Sequence, residues 1–177
     1  MSHKIYDLSH TFHQHMPEWP SSPGVNVMVN KIHAKDGLHQ VQWEGIMHRG
    51  THMDAPIHVT ENTPSINDYP LWRLCGTGVA VSIPKGKWGV ITPEELENAS
   101  PEIKEGDIVM INTGFHHKWA DSDEYFAYGC GISAAGAQWL VDRKVKGVGY
   151  GCQANDHPLA TKLVDHGLGP SQPHLIN

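Results

Sequence analysis

Between His48 and His58 the chain reads HRGTHMDAPIH, which sets imidazoles at 48, 52 and 58 and a carboxylate at 54. Such groups hold divalent cations or carry protons, and both tasks need their nitrogens and oxygens to converge. A helix would place His48 and His52 on one face, but Gly50 weakens a helix and Pro56 removes a backbone donor. One unbroken strand would aim every even position to the same side, yet leave His48 and Asp54 about 20 Å apart at about 3.3 Å per residue. Ligand atoms sit roughly 2.0–2.2 Å from a zinc-sized ion, so the backbone must bend between them. Gly50-Thr51 and Ala55-Pro56 supply the bends. The segment is therefore expected to be a strand end at His48 running into a turn that folds His52 and Asp54 back toward one point.

Two imidazoles and one carboxylate, without thiolate, suit zinc, manganese or ferrous iron and leave a coordination position for water, as catalytic sites do. His58 is left over, and an imidazole beside a metal-bound water is placed for proton transfer. The competing reading is of four solvated or packed polar residues on a loop. In a chain with 14 histidines, H-x-x-x-H-x-D also arises by chance.

The elements that must position these groups read as follows. KIYDLSH begins as a strand, and MPEWPSSPG, with Pro17, Pro20 and Pro23, is a loop. Alternation at Val25, Val27 and Val29 and at Val41 and Trp43 predicts half-buried strands. GTGVAVSIP and DIVMINTG are short β-rich runs suited to inner strands. Thr92, Pro93 and Glu95 have the form of a capping box that starts a short helix to about Asn98. A longer helix is expected after Ser133 through AAGAQWLVDRKV, with Ala137, Leu140, Val141 and Val145 as its apolar stripe, before GVGYG returns as a strand. HHKWADSDEY, from His116 and His117 onward, reads as a surface loop. Asp156 and His157 form an Asx turn before Pro158 or, alternatively, hydrogen-bond a ligand imidazole. Trp72, Trp88 and Trp139 are expected in the core or an interface. The whole predicts one α/β domain over residues 1–177 with a mixed sheet.

Composition narrows the function classes. With 177 residues, 39% apolar and 18% charged, the chain is an ordinary soluble globular protein. Its formal charge of -6 and scattered basic residues argue against nucleic acid as a partner. No apolar run is long enough to span a bilayer and MSHKIYDLSH lacks a signal-peptide core, so no membrane association and a cytoplasmic location are expected. Cys75, Cys130 and Cys152 form no C-x-x-C pair and read as buried reduced thiols.

HRGTHMDAPIH also resembles the H-x-G-T-H-x-D-x-P-x-H signature of the cyclase family of metal-dependent hydrolases, which includes bacterial kynurenine formamidase and isatin hydrolase. YDLSHTFHQHMPEWPSSPGV is similar to that family's D-L-S and M-P-x-W-P region, EGDIVMINTGFHHKW to its G-D-x-V-L-x-x-T-G-W strand, and GVGYGCQANDHP to its later strand and acidic turn. The resemblance implies a swivelling β/β/α fold, a homodimer or homotetramer, and zinc or manganese held by His48, His52 and Asp54. It gives His58 a proton-transfer role and places Trp19 in the loop lining the pocket for a small-molecule substrate.

Family members usually continue to a further histidine and glutamate that complete a second metal site in the formamidases. This chain stops at PSQPHLIN, where His174 is the candidate but its surroundings do not match. Either the site is mononuclear, or the chain is a shortened form lacking the family's C-terminal segment. The resemblance implies hydrolysis of a small amide, lactam or lactone, with N-formyl arylamines among the candidates. A metal-activated hydroxide would attack the carbonyl and His58 would relay the proton. The alternative is a non-catalytic member that binds a metal or ligand on the same fold.

Overall fold

The structure is a computed structural model that describes residues 4–20 and 22–160. The chain divides into two compact units, Met1–Asp54 and Ala55–Asn177. Among the described residues, no helix is long and apolar enough to cross a membrane.

The first unit is built on a hairpin. β1 (Asn26–Lys31) pairs antiparallel with β2 (Gln40–Glu44), Val27 opposite Trp43 and Val29 opposite Val41. A single helical turn, α1 (His33–Asp36), connects them and ends at Gly37 with φ of 72°. Val27, Val29, Val41 and Trp43 do lie on strands, but burial is confined to Val25, just before β1, with Val27 half-buried. Val29, Val41 and Trp43 are 57%, 50% and 38% exposed. KIYDLSH departs from expectation, since residues 4–13 form no strand. Its backbone is tied down by a side chain instead: the His10 N–H donates to Thr51 Oγ1 at 3.0 Å.

The second unit is a parallel α/β layer. β3 (Gly78–Ser82) leads through the short β4 (Val90–Ile91) and α2 (Pro93–Glu97) to β5 (Ile108–Asn112). α3 (Asp123–Phe126), β6 (Gly131–Ile132) and α4 (Ala134–Asp142) then precede β7 (Gly147–Tyr150). The strand order is β3-β5-β7, all parallel, with β4 and β6 forming a second parallel pair. Parallel and antiparallel strands thus both occur, in separate sheets. β5 is the inner strand, as its apolar run predicts, and β3 lies at the edge among the described residues.

Register explains the core. Val79, Val109 and Val148 align across the sheet, as do Val81, Ile111 and Tyr150. Val81, Val109 and Ile111 are buried with Ile83, Ile91, Leu96, Ile103 and Leu140. Residues two apart on a strand share a face, so Met110, between Val109 and Ile111, is 37% exposed. α2 starts as its capping box predicts: Thr92 Oγ1 accepts the Glu95 N–H at 3.4 Å and Glu95 Oε2 accepts the Thr92 N–H at 3.0 Å. α4 is capped by Ser133, whose hydroxyl accepts the Gly136 N–H at 2.9 Å. Glu97 joins the two helices, accepting from Trp139 Nε1 at 2.9 Å and from Arg143 Nη2 at 2.7 Å.

Other expectations need correction. α4 stops at Asp142, and Lys144 takes a left-handed φ of 55° beyond it; Val141, within the helix, is 49% exposed and is not part of the buried stripe. His116 and His117 lie on a 3-10 turn, Phe115–Lys118, and Tyr125 and Phe126 of the following helix are buried, so this stretch is folded rather than a surface loop. Trp72 and Trp88 are 62% and 36% exposed, while Trp139 packs against the core. Of the three thiols, Cys130 is buried, Cys152 half-buried and Cys75 exposed.

Candidate metal centre

Three of the residues singled out from the sequence come together in the first unit. His48 is not on a strand, since β2 ends at Glu44 and residues 45–55 form irregular backbone. The bend is where it was expected. Gly50 has φ of 62°, a left-handed conformation that costs an L-residue with a Cβ, and it reverses the chain between the two histidines. His52 Nε2 then lies 2.7 Å from His48 Nδ1, His48 Nδ1 lies 2.9 Å from Asp54 Oδ1, and His52 Nε2 lies 3.4 Å from the same oxygen.

Hydrogen bonding fixes which nitrogen of His52 carries the lone pair. His52 Nδ1 is 2.9 Å from the Gly50 carbonyl oxygen, which can only accept, so Nδ1 carries the proton. A neutral His52 therefore turns the lone pair of Nε2 toward His48 and Asp54. One imidazole nitrogen with its partner N–H anchored to a backbone carbonyl is the arrangement that orients metal-ligating histidines. His48 Nδ1 faces both acceptors, His52 Nε2 and Asp54 Oδ1, so either its own proton or a bound cation lies among them. Bonds near 2.1 Å place ligand atoms about 3.4 Å apart around a tetrahedral ion and about 3.0 Å apart on an octahedral face. The edges observed, from 2.7 to 3.4 Å, bracket the octahedral value and reach the tetrahedral one. The residues present thus fit a divalent ion in donor type and in spacing.

His58, four residues after Asp54, closes a 3-10 turn, Pro56–His58, near the start of the second unit, and it is exposed. Trp19 is half-buried in the proline-rich segment of the first unit, where its carbonyl accepts the Ser22 N–H at 2.8 Å. His157 Nε2 lies 2.9 Å from the Trp88 carbonyl oxygen, so its ring is occupied within the second unit. His174 lies outside the described residues.

Sequence reasoning missed the device that holds the ligand segment to the Trp19 segment. Arg49, next to His48, is buried with its side chain 2% exposed, and its Nη1 lies 2.5 Å from Glu18 Oε1. Its Nη2 also donates to the Pro23 carbonyl. Glu18 Oε1 further accepts the Val25 N–H at 3.3 Å, and the Arg49 hydrogen bond holds the Glu18 carboxyl below its ordinary pKa. Met16, 3% exposed, packs beside Gly50. The available signal was one basic residue inside the signature, Arg49, and one acid among the prolines, Glu18, which do not announce each other across 31 positions of chain.

The family model Cyclase, described as "Putative cyclase", matches residues 6–157. Cyclase-like protein 2 of Arabidopsis thaliana is 28% identical over 157 residues, which cover 83% of this chain and 57% of its own length. Cyclase-like protein 1 of the same plant is 29% identical, over 83% of this chain and 61% of its own. The chain thus spans about three-fifths of these curated relatives. Among solved structures, isatin hydrolase A from Labrenzia aggregata bound to benzyl benzoate superposes with a TM-score of 0.76 at 21% identity, over 89% of this chain and 71% of that one. A protein described as a potential metal-dependent hydrolase with cyclase activity gives 0.66 at 24% identity, over 83% and 67%. These likenesses bear out the α/β class and the cyclase-type fold.

Proposed function

From a chain that belongs to the Cyclase family, we propose a metal-dependent hydrolase of a small amide, lactam or lactone, with N-formyl arylamines among its substrates. The observation that carries this reading is the convergence of His48, His52 and Asp54, with the Nδ1 proton of His52 committed to the Gly50 carbonyl. His48 Nδ1, His52 Nε2 and Asp54 Oδ1 would hold zinc or manganese. When bound, such an ion polarises a carbonyl and acidifies water.

The protein's own residues do the rest. Asp54 offsets part of the ion's charge, and His52 is kept from rotating by its carbonyl partner. His58 is assigned the proton transfer, taking a proton from the attacking water and returning it to the leaving nitrogen or oxygen. Trp19, held by the Glu18–Arg49 pair one residue away, is assigned to the substrate's apolar face. The exposed Val29, Val41 and Trp43 of the hairpin support a homodimer or homotetramer, since a two-stranded ribbon is marginal without a cover. A cytoplasmic location belongs to the same reading.

Elemental analysis of untagged protein tests it, beside His52→Ala, Asp54→Ala and His58→Ala. The expected result is about one equivalent of zinc or manganese in the wild type. His52→Ala and Asp54→Ala should lose the ion, and His58→Ala should keep it while losing turnover of N-formyl arylamines or lactams. Equal ion loss in all three variants would overturn the division of roles. A wild type that binds the ion but turns over no substrate of these classes would make the chain a binding member of the fold.

A further inference from the structure

The second unit holds an ammonium between two aromatic faces, a feature that the proposed hydrolysis does not use. Lys87 Nζ lies 3.7 Å from the centre of the Tyr128 ring and 4.2 Å from that of the Trp88 ring. The rings themselves meet edge to face, with centres 5.9 Å apart and planes at 85°. These distances set the two directions from the nitrogen to the ring centres close to a right angle, so the ammonium occupies the corner that the faces form. An aromatic face carries the negative lobe of the ring's quadrupole, and here two such lobes are aimed at one spot.

Backbone contacts build this corner. Trp88 takes a left-handed φ of 57°, which a bulky L-residue keeps only where its surroundings hold it. They hold it at every polar atom. The Trp88 N–H donates to the Tyr128 and Gly129 carbonyls at 3.2 and 3.1 Å, the indole N–H donates to the Ala127 carbonyl at 3.0 Å, and the Trp88 carbonyl lies 2.9 Å from His157 Nε2. Most of these contacts go to residues 127–129, the stretch that carries the second ring, so the two rings are fixed to each other. The Tyr128 N–H in turn donates to the Asp123 carbonyl at 2.9 Å, which ties that stretch to α3.

Lys87 is the removable part. It is exposed, and the lysines found in ion pairs among the described residues are Lys85, Lys118 and Lys144. Trp88 is 36% exposed, so the corner opens to solvent, and a side-chain rotation takes the lysine out of it. A π face attracts charge without accepting a directed hydrogen bond in the way a carboxylate does. A primary ammonium is strongly hydrated and gives up water to enter, whereas a quaternary ammonium has no N–H to satisfy.

We propose that the Trp88–Tyr128 corner is a binding site for a small ligand bearing a quaternary ammonium group, with Lys87 as the built-in occupant that the ligand displaces. Tetramethylammonium chloride is the probe, titrated into the full chain at constant ionic strength against sodium chloride. The readout is the set of tryptophan indole N–H signals in a nitrogen–proton NMR spectrum, where Trp88 is assigned by its loss in Trp88→Phe. The Trp88 signal should move saturably while the other tryptophan signals stay. Lys87→Ala should bind with a dissociation constant on the order of 10 mM, about two- to fivefold tighter than the wild type, because the competing contact is gone. In the Lys87→Ala protein, adding Tyr128→Phe keeps the ring face and should preserve the shift, whereas adding Tyr128→Leu should abolish it. A Trp88 signal that stays still in Lys87→Ala, moves equally with sodium, or moves together with every other indole would overturn the site. Wild type and Lys87→Ala binding equally well would overturn the role given to the lysine, and ammonium chloride binding as tightly as the probe would overturn the quaternary preference.

Discussion

Replacing Arg49 by Met tests whether the buried ion pair supports the first unit. The Arg49 side chain is 2% exposed and Glu18 is 25% exposed. Removing one partner of a fully buried pair costs about 3–5 kcal/mol, because the other charge is left without compensation. Glu18 reaches water over a quarter of its surface, so part of that penalty is recovered by hydration, and the loss expected for Arg49→Met is about 2–3 kcal/mol. Adding Glu18→Gln removes the stranded charge and should return about half of it, giving a coupling above about 1 kcal/mol in a double-mutant cycle.

The pH dependence has a definite sign. Because the Arg49 hydrogen bond lowers the folded Glu18 pKa from its ordinary 4.5, the unfolded chain binds the proton more readily. The stabilisation is full above the unfolded value and is lost as pH falls through the folded one. Arg49→Met should therefore flatten the acid limb of stability. Urea unfolding by circular dichroism at neutral and acid pH measures both effects. A change within about 0.5 kcal/mol, with the acid limb unaltered, would refute the argument.

Gly50→Ala should destabilise by about 1–2 kcal/mol through its left-handed backbone, and should lower metal occupancy as well. The added methyl would sit 3.7 Å from Met16 Sδ, an ordinary contact, so the cost is conformational rather than a clash. Gly50→Asn, which tolerates positive φ, should lose less in the same urea titration and elemental analysis. Leu96→Ala removes a side chain 1% exposed at the centre of the second unit's core and should cost about 2–5 kcal/mol by thermal or chemical unfolding. A loss under about 1 kcal/mol would mean that the packing around α2 is looser than described.

The parts of the fold legible in sequence were those decided locally. Thr92, Pro93 and Glu95 encode the start of α2 within four residues, and Gly50 marks the bend that brings His48 and His52 together. What was not legible depends on distant partners or on unusual backbone. The apolar stripe of α4 suggested a helix reaching Val145, yet the chain turns at Lys144, a residue whose type does not favour positive φ. Val145 still packs against the core, from beyond the helix end. KIYDLSH has strand composition but no ladder, since its backbone finds Thr51 instead. Nothing in the signature itself sets Arg49 apart from its polar neighbours. Its burial follows from Glu18 and Pro23, which only the folded chain brings to it.

The atoms proposed to hold the ion, on His48, His52 and Asp54, all come from residues 48–54, a single short stretch of chain. Closing so short a loop costs little entropy, so the denatured polypeptide retains a usable fraction of the site. An ion stabilises a fold only by the ratio of its affinities for the folded and unfolded forms. A chain whose donors are already neighbours before folding would therefore gain less melting temperature from a metal bound there than the dissociation constant alone would suggest. For the same reason such a site would capture an ion while the parallel sheet that follows is still unformed.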